Sequence, residues 1–154
     1  MRILSWRVVV PALMLVLGGM RPLSAQATMA TRQNLSFGQV TPGVPMVVAP
    51  TDVLKRAQVT VQGSGNLSMQ FVLPAYLQSA QGAQIPLTFR TADALVQMKN
   101  KTNVVNPTAP FSIRIPPGQG SADIYLGGTA TPSTGQVAGT YQATIVLMIV
   151  NPGA

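Results

Sequence analysis

Residues 139–151 read GTYQATIVLMIVN, and the fold class turns on how this stretch is read. In an extended chain Tyr141, Ala143, Ile145, Leu147 and Ile149 fall on one face, and Gln142, Thr144, Val146, Met148 and Val150 on the other. The first face is almost wholly apolar. The second starts polar and turns apolar from Val146. That pattern predicts a central strand of a β-sandwich, covered on both sides at its far end. β-Branched and aromatic residues suit the pleated surface, and no Pro or Gly follows Gly139 until Pro152. A buried C-terminal strand needs neighbours made earlier, so the rest of the chain is read for those neighbours.

The clearest neighbours are Ala57–Gln62 and Leu67–Leu73. In the first, Ala57, Val59 and Val61 alternate with Gln58, Thr60 and Gln62; in the second, Leu67, Met69, Phe71 and Leu73 alternate with Ser68 and Gln70. Gly63-Ser64-Gly65-Asn66 between them reads as a hairpin turn. Leu35 and Phe37 open a first strand, and Met46–Ala49 is a short one. Ile85, Leu87 and Phe89 alternate around Pro86, which predicts a strand that lies at an edge or begins at the Pro, because Pro cannot donate to a ladder. Residues 92–98 fit either a strand or a helical turn. Residues 99–110 hold three Asn, two Lys and two Pro and are expected to form a mobile loop. Phe111–Ile115 and Ala122–Leu126 alternate again. The chain after residue 27 has no strong helical period. The expectation is an all-β, antiparallel, immunoglobulin-like sandwich of about eight or nine strands.

The N-terminus has the form of a secretory signal peptide over residues 1–27. Arg2 and Arg7 supply positive charge, Val8–Leu17 is apolar apart from Pro11, and Ala25-Gln26-Ala27 offers small residues for cleavage. The cut is placed after Ala27, with Ala25 the alternative. The expected organisation is a signal peptide (1–27), a flexible extension (28–33), a β-sandwich domain (34–151) and a C-terminal tail (152–154). The mature form would be secreted, periplasmic or at the cell surface, with no membrane span. Losing Arg2, Arg7 and Arg21 leaves seven basic residues against three acids, a net charge of +4. Those bases are spread along the chain without stacking aromatics beside them, so no nucleic-acid partner is expected. The chain has no Cys, so no disulfide staples it.

The catalytic inventory is thin. The chain contains no His, Cys or Glu, which removes the commonest general bases and metal ligands. Its three acids, Asp52, Asp93 and Asp123, are far apart in sequence. A glycosidase pair would need two of them within roughly 5–10 Å. Turn capping is the expected role of Asp52 and Asp93. No catalytic, cofactor-binding or metal-binding residue is expected, and the chain is read as a non-enzyme that uses no cofactor. Of the aromatics, Tyr76 and Tyr125 are the candidates for surface exposure, and Tyr141 is expected in the core.

Several short motifs resemble an exported bacterial family known as domain of unknown function 4402. Leu35-Ser36-Phe37-Gly38 is similar to its opening LxFG. Val59–Gly63 with Leu67–Pro74 is similar to its middle section. Leu126-Gly127-Gly128-Thr129-Ala130, then Gly139-Thr140-Tyr141, is similar to its GGT…GxY ending. The likeness runs from about Asn34 to Asn151. It implies an immunoglobulin-like sandwich, related in character to fimbrial and spore-coat-U-like subunits. The last residues, Ile149-Val150-Asn151-Pro152, depart from the aromatic ending of the family.

The functional expectation is an exported, non-enzymatic structural or interaction protein, such as a surface, matrix or pilus-like subunit. Its protein partners would be met through backbone at a sheet edge. The alternative is an extracellular glycan- or calcium-binding module using loops at one end. Thr28–Gln33 is too polar to act as a donated strand, so a self-complete monomer is expected, with residues 28–33 adding little stability.

Overall fold

Period-two alternation puts one apolar face on most segments of this chain, and burying those faces against each other gives a β-sandwich. The computed structural model describes the backbone of residues 7–9 and the chain from 27 to 150. The leader expected over 1–27 therefore lies outside the described residues, apart from Arg7–Val9 and Ala27, as does the tail 152–154.

The described residues are all-β, in three sheets. One sheet runs β1 (Arg7–Val9), β14 (Thr144–Val150), β5 (Gly65–Val72) and β10 (Phe111–Ile115). The second runs β2 (Thr28–Gln33), β4 (Ala57–Gln62), β11 (Ser121–Leu126), β8 (Ala94–Met98) and β9 (Lys101–Val105). The third runs β13 (Tyr141–Gln142), β6 (Tyr76–Ser79), β7 (Gln84–Thr88), β12 (Gly128–Ala130) and β3 (Met46–Val48). Neighbours are antiparallel except β1 and β14, which run parallel. These fourteen segments exceed the eight or nine strands expected because several are only two to four residues long.

One core unites the three sheets. Leu35, Val48, Val61, Met69, Leu77, Ala94, Val96, Ile115, Ala130, Ile145 and Leu147 are all fully buried. Each of the alternations at 57–61, 67–71, 111–115 and 145–147 turns its apolar set inward, as the period predicts.

The pairing departs from the sequence reading in six places. First, β4 and β5 do not form a hairpin. They belong to opposite sheets, and residues 63–64 arch between them. Gly65 at φ 92° provides a conformation that other residues rarely adopt. Alternation says which face is buried, and an arch buries the same faces as a hairpin.

Second, residues 139–151 are not one central strand. Ala143 breaks them into β13, paired with β6, and β14, paired with β5. The far end of β14 is also less covered than expected, with Val150 46% exposed.

Third, residues 28–33 form β2 along β4 instead of a loose extension, with a bulge between Thr31 and Gln33. Gln33 Nε2 also donates to the Arg56 carbonyl at 2.9 Å and to the Val53 carbonyl at 3.2 Å. Backbone groups make that ladder, so the polar side chains do not prevent it.

Fourth, residues 101–105 within the expected loop form β9, hairpinned to β8 through Lys99-Asn100. This also settles 94–98 as strand. Fifth, Leu35 and Phe37 are buried without joining a ladder strand; Ser36 N–H donates to the Lys55 carbonyl at 2.8 Å.

Sixth, β7 is internal to its sheet and begins at Gln84, so it is neither an edge strand nor one that opens at Pro86. Pro86 fits because the β12 ladder ends at Ala130, and only the Pro86 carbonyl is used, accepting from Thr131 N–H at 2.9 Å.

Gly127 and Gly128 connect β11 to β12, passing the chain from the second sheet to the third. A Cβ on Gly127 would lie 2.1 Å from the Val48 carbonyl oxygen, and one on Gly128 would lie 2.9 Å from the Phe89 ring. The crossing therefore depends on absent side chains as much as on a turn.

Candidate functional site at the open edges

The acids cap or brace local structure. Asp52 Oδ1 accepts Leu54 N–H at 3.1 Å, and Asp93 Oδ2 accepts Arg90 N–H at 2.8 Å. Asp123 Oδ1 accepts the Thr60 hydroxyl at 2.6 Å across the β4–β11 ladder. Among the described residues no three His, Cys, Asp or Glu side chains gather as a metal-holding group.

The tyrosines sort differently from the expectation. Tyr76 is 49% exposed, but Tyr125 is buried. It points to the outer face of its sheet, where the Arg56 guanidinium lies 3.5 Å over its ring, and its hydroxyl donates to Gln97 Oε1 at 2.9 Å. A long cationic side chain has covered an outward aromatic. Tyr141 is buried as expected. Its hydroxyl donates to the Val137 carbonyl at 2.5 Å and accepts from Gln136 Nε2 at 2.8 Å. That leaves Tyr76 as the one exposed tyrosine among the described residues, too little for a stacking platform.

The sheet edges are the more informative feature, because an edge offers unpaired backbone N–H and C=O groups. β3 and β13 are short, at three and two residues. β2 carries Arg32, β9 carries Lys101 and β10 carries Arg114. Short length and charge are the usual means of blunting an edge. β14 has neither: its seven residues, TIVLMIV, carry no charge. Its side away from β5 is met by three residues, Arg7↔Thr144, Val8↔Ile145 and Val9↔Val146. Sequence hydropathy marks this strand as important, but only the topology shows it next to an edge.

A second feature lies on the side where β9 and β10 form the edges of their sheets. A cavity of about 680 Å³ opens there. Val96, Met98, Val105 and Ile113 supply its apolar part. Lys99, Asn100, Lys101, Asn103, Arg114 and Gln119 supply polar groups. The β8–β9 register, with Lys101 opposite Met98 and Asn103 opposite Val96, puts Lys101 and Asn103 on the core-facing side of β9. The sequence shows Lys99 and Lys101 close together, but it does not show Arg114 joining them. A smaller cavity of about 200 Å³ lies under residues 132–141, against Val40, Pro42 and Ile85.

Among the described residues no helix is long and apolar enough to cross a membrane. No family model matches this chain, and no curated protein matches it.

Proposed function

We propose that this chain is an exported, non-enzymatic interaction protein that meets protein partners through the backbone edge of β14, as a surface, matrix or pilus-like subunit would. The observation that carries the reading is the parallel seating of Arg7–Val9 on an uncharged, apolar strand. A strand that accepts one extended segment offers the same hydrogen-bonding groups to another. Removing a leader at residue 27 would vacate that edge. The motif likeness to domain of unknown function 4402, with its exported sandwich subunits, belongs to the same proposal.

The domain is proposed to fold as a monomer. The fully buried hydrophobic residues of the core run from Leu35 to Leu147, within the domain itself. Assembly at the edge would then add to a finished fold and be weaker than an exchange that completes a core.

Freeing the edge and offering it a strand tests the proposal. Protein beginning at Thr28 is titrated with a synthetic peptide of residues 3–10, and backbone amide shifts are followed by NMR. Saturable shifts at residues 144–150, with the near-ultraviolet circular dichroism unchanged, are the expected result. An unresponsive β14 at millimolar peptide would exclude this edge.

A further inference from the structure

We infer that the groove between β9 and β10 binds an acidic oligosaccharide, with Lys99, Lys101 and Arg114 meeting its carboxylates. This site is separate from the β14 edge and does not rest on the function proposed for it.

Of the seven basic residues after Ala27, three line this one groove, and they come from the β8–β9 turn, from β9 and from β10 of the other sheet. No acid is among the lining residues. Among the described residues the side chains of Lys99, Lys101 and Arg114 make no ion pair or hydrogen bond. Arg32 and Arg56, by contrast, are engaged with Thr60 and with the Pro50 carbonyl. Cations of one sign around a concave site raise the local concentration of anions.

The inner face of β9 is unusually polar. Lys101 and Asn103 stand where the strand period would ordinarily put apolar residues. An inward lysine is one device that guards an edge from pairing. Edge protection does not require Arg114 from the other sheet, nor the amides of Asn100, Asn103 and Gln119 around the same space.

The lining has the chemistry of a site for an acidic sugar. Asn and Gln amides and the Ser112 hydroxyl both donate and accept, which matches the hydroxyl groups of a sugar. Lysine and arginine make charge-assisted hydrogen bonds to carboxylates. The lining holds no aromatic ring on which a neutral sugar could stack. A volume of 680 Å³ falls within the usual range of ligand sites, about 300–1,000 Å³. None of the chain's three acids lines the groove, and each accepts a hydrogen bond elsewhere, so the structure supplies the cations no carboxylate of its own there.

Titrating the purified protein with trigalacturonate, followed by amide chemical shifts, tests this site. Neutral galactotriose and tetraglutamate are the comparison ligands. Expected are saturable shifts at residues 98–103 and 112–114 with trigalacturonate and none with galactotriose. The double variant K101Q/R114Q should bind at least about tenfold more weakly, from the loss of hydrogen bonds to charged groups. R90Q, a charge removed elsewhere, should bind as the parent does. Should the double variant fail to fold, K99Q in the exposed turn takes its place, with a weakening of severalfold expected. The inference is overturned by an absence of saturable shifts, by equal weakening in R90Q, or by galactotriose binding as well as the acidic sugar. Tetraglutamate binding there more tightly than the uronate would also overturn it, and would assign the groove to acidic peptides.

Discussion

The Arg56 guanidinium carbon lies 3.5 Å from the centre of the Tyr125 ring, on the outer face of the β4–β11–β8 ladder. This contact buries an aromatic that the alternation points toward solvent. Arg56 is tied down further, by Nη1 donating to the Pro50 carbonyl at 3.2 Å. Replacing Arg56 by Ala removes both contacts and exposes the ring. A loss of about 1–2 kcal/mol is expected in urea unfolding, within the range for a partly desolvated cation–π pair. Arg56→Lys should recover only part of it, because the ammonium lacks the planar stacking surface.

The two glycines at the β11–β12 crossing should respond unequally to the same change. Gly127→Ala drives a methyl against the backbone carbonyl of Val48, which cannot move without shifting the β3–β12 pairing. A cost of about 3 kcal/mol or more is expected, at the upper end for overpacking. Gly128→Ala meets the Phe89 ring instead, and a side chain can turn aside. Its cost should be smaller, about 1 kcal/mol. Thermal unfolding of the two variants side by side measures the difference, and equal midpoints would contradict the crossing geometry.

Residues 28–33 should matter to stability. They pair with β4 over most of its length, Met29 packs against the core, and Gln33 holds two carbonyls. Deleting them exposes the outer edge of β4. Allowing about 1 kcal/mol for each of a few lost hydrogen bonds, a destabilisation of about 2–4 kcal/mol is expected. Denaturant titration of protein beginning at Asn34 checks it. A change within 0.5 kcal/mol, the usual reach of unstructured surface, would mean that β2 contributes nothing.

Leu35 and Leu54 make a second contrast. Leu35 is fully buried although it belongs to no ladder strand, while Leu54 is 83% exposed in a turn. Leu35→Ala should cost about 2–5 kcal/mol, as for a buried leucine that leaves a cavity. Leu54→Ala should change stability by less than about 0.5 kcal/mol. Unfolding midpoints of both variants test whether burial, and not strand membership, sets the cost.

The all-β class and most of the buried set were legible in the alternation of residues. Ile145 and Leu147, Val59 and Val61, Met69 and Phe71, and Ile113 and Ile115 all lie inside as their alternation predicts. Those assignments are local: the pleat sends successive side chains to opposite faces, so the buried face is visible in the order of residues. The capping roles of Asp52 and Asp93 were legible for a similar reason, since each bonds a backbone N–H two or three residues away. Which strands pair was decided by the tertiary structure. Ladder hydrogen bonds join backbone groups that every non-proline residue carries, so hydropathy cannot name the partner. Polar Thr28–Gln33 and Lys101–Val105 became strands because β4 and β8 had free edges beside them. The break at Ala143 sends one continuous alternation into two sheets, and the arch after Gln62 sends two neighbouring alternations to different sheets. The same non-local pairing put Lys101 opposite Met98 on an inner face, brought β10 with Arg114 to the same groove, and left β14 beside an open edge.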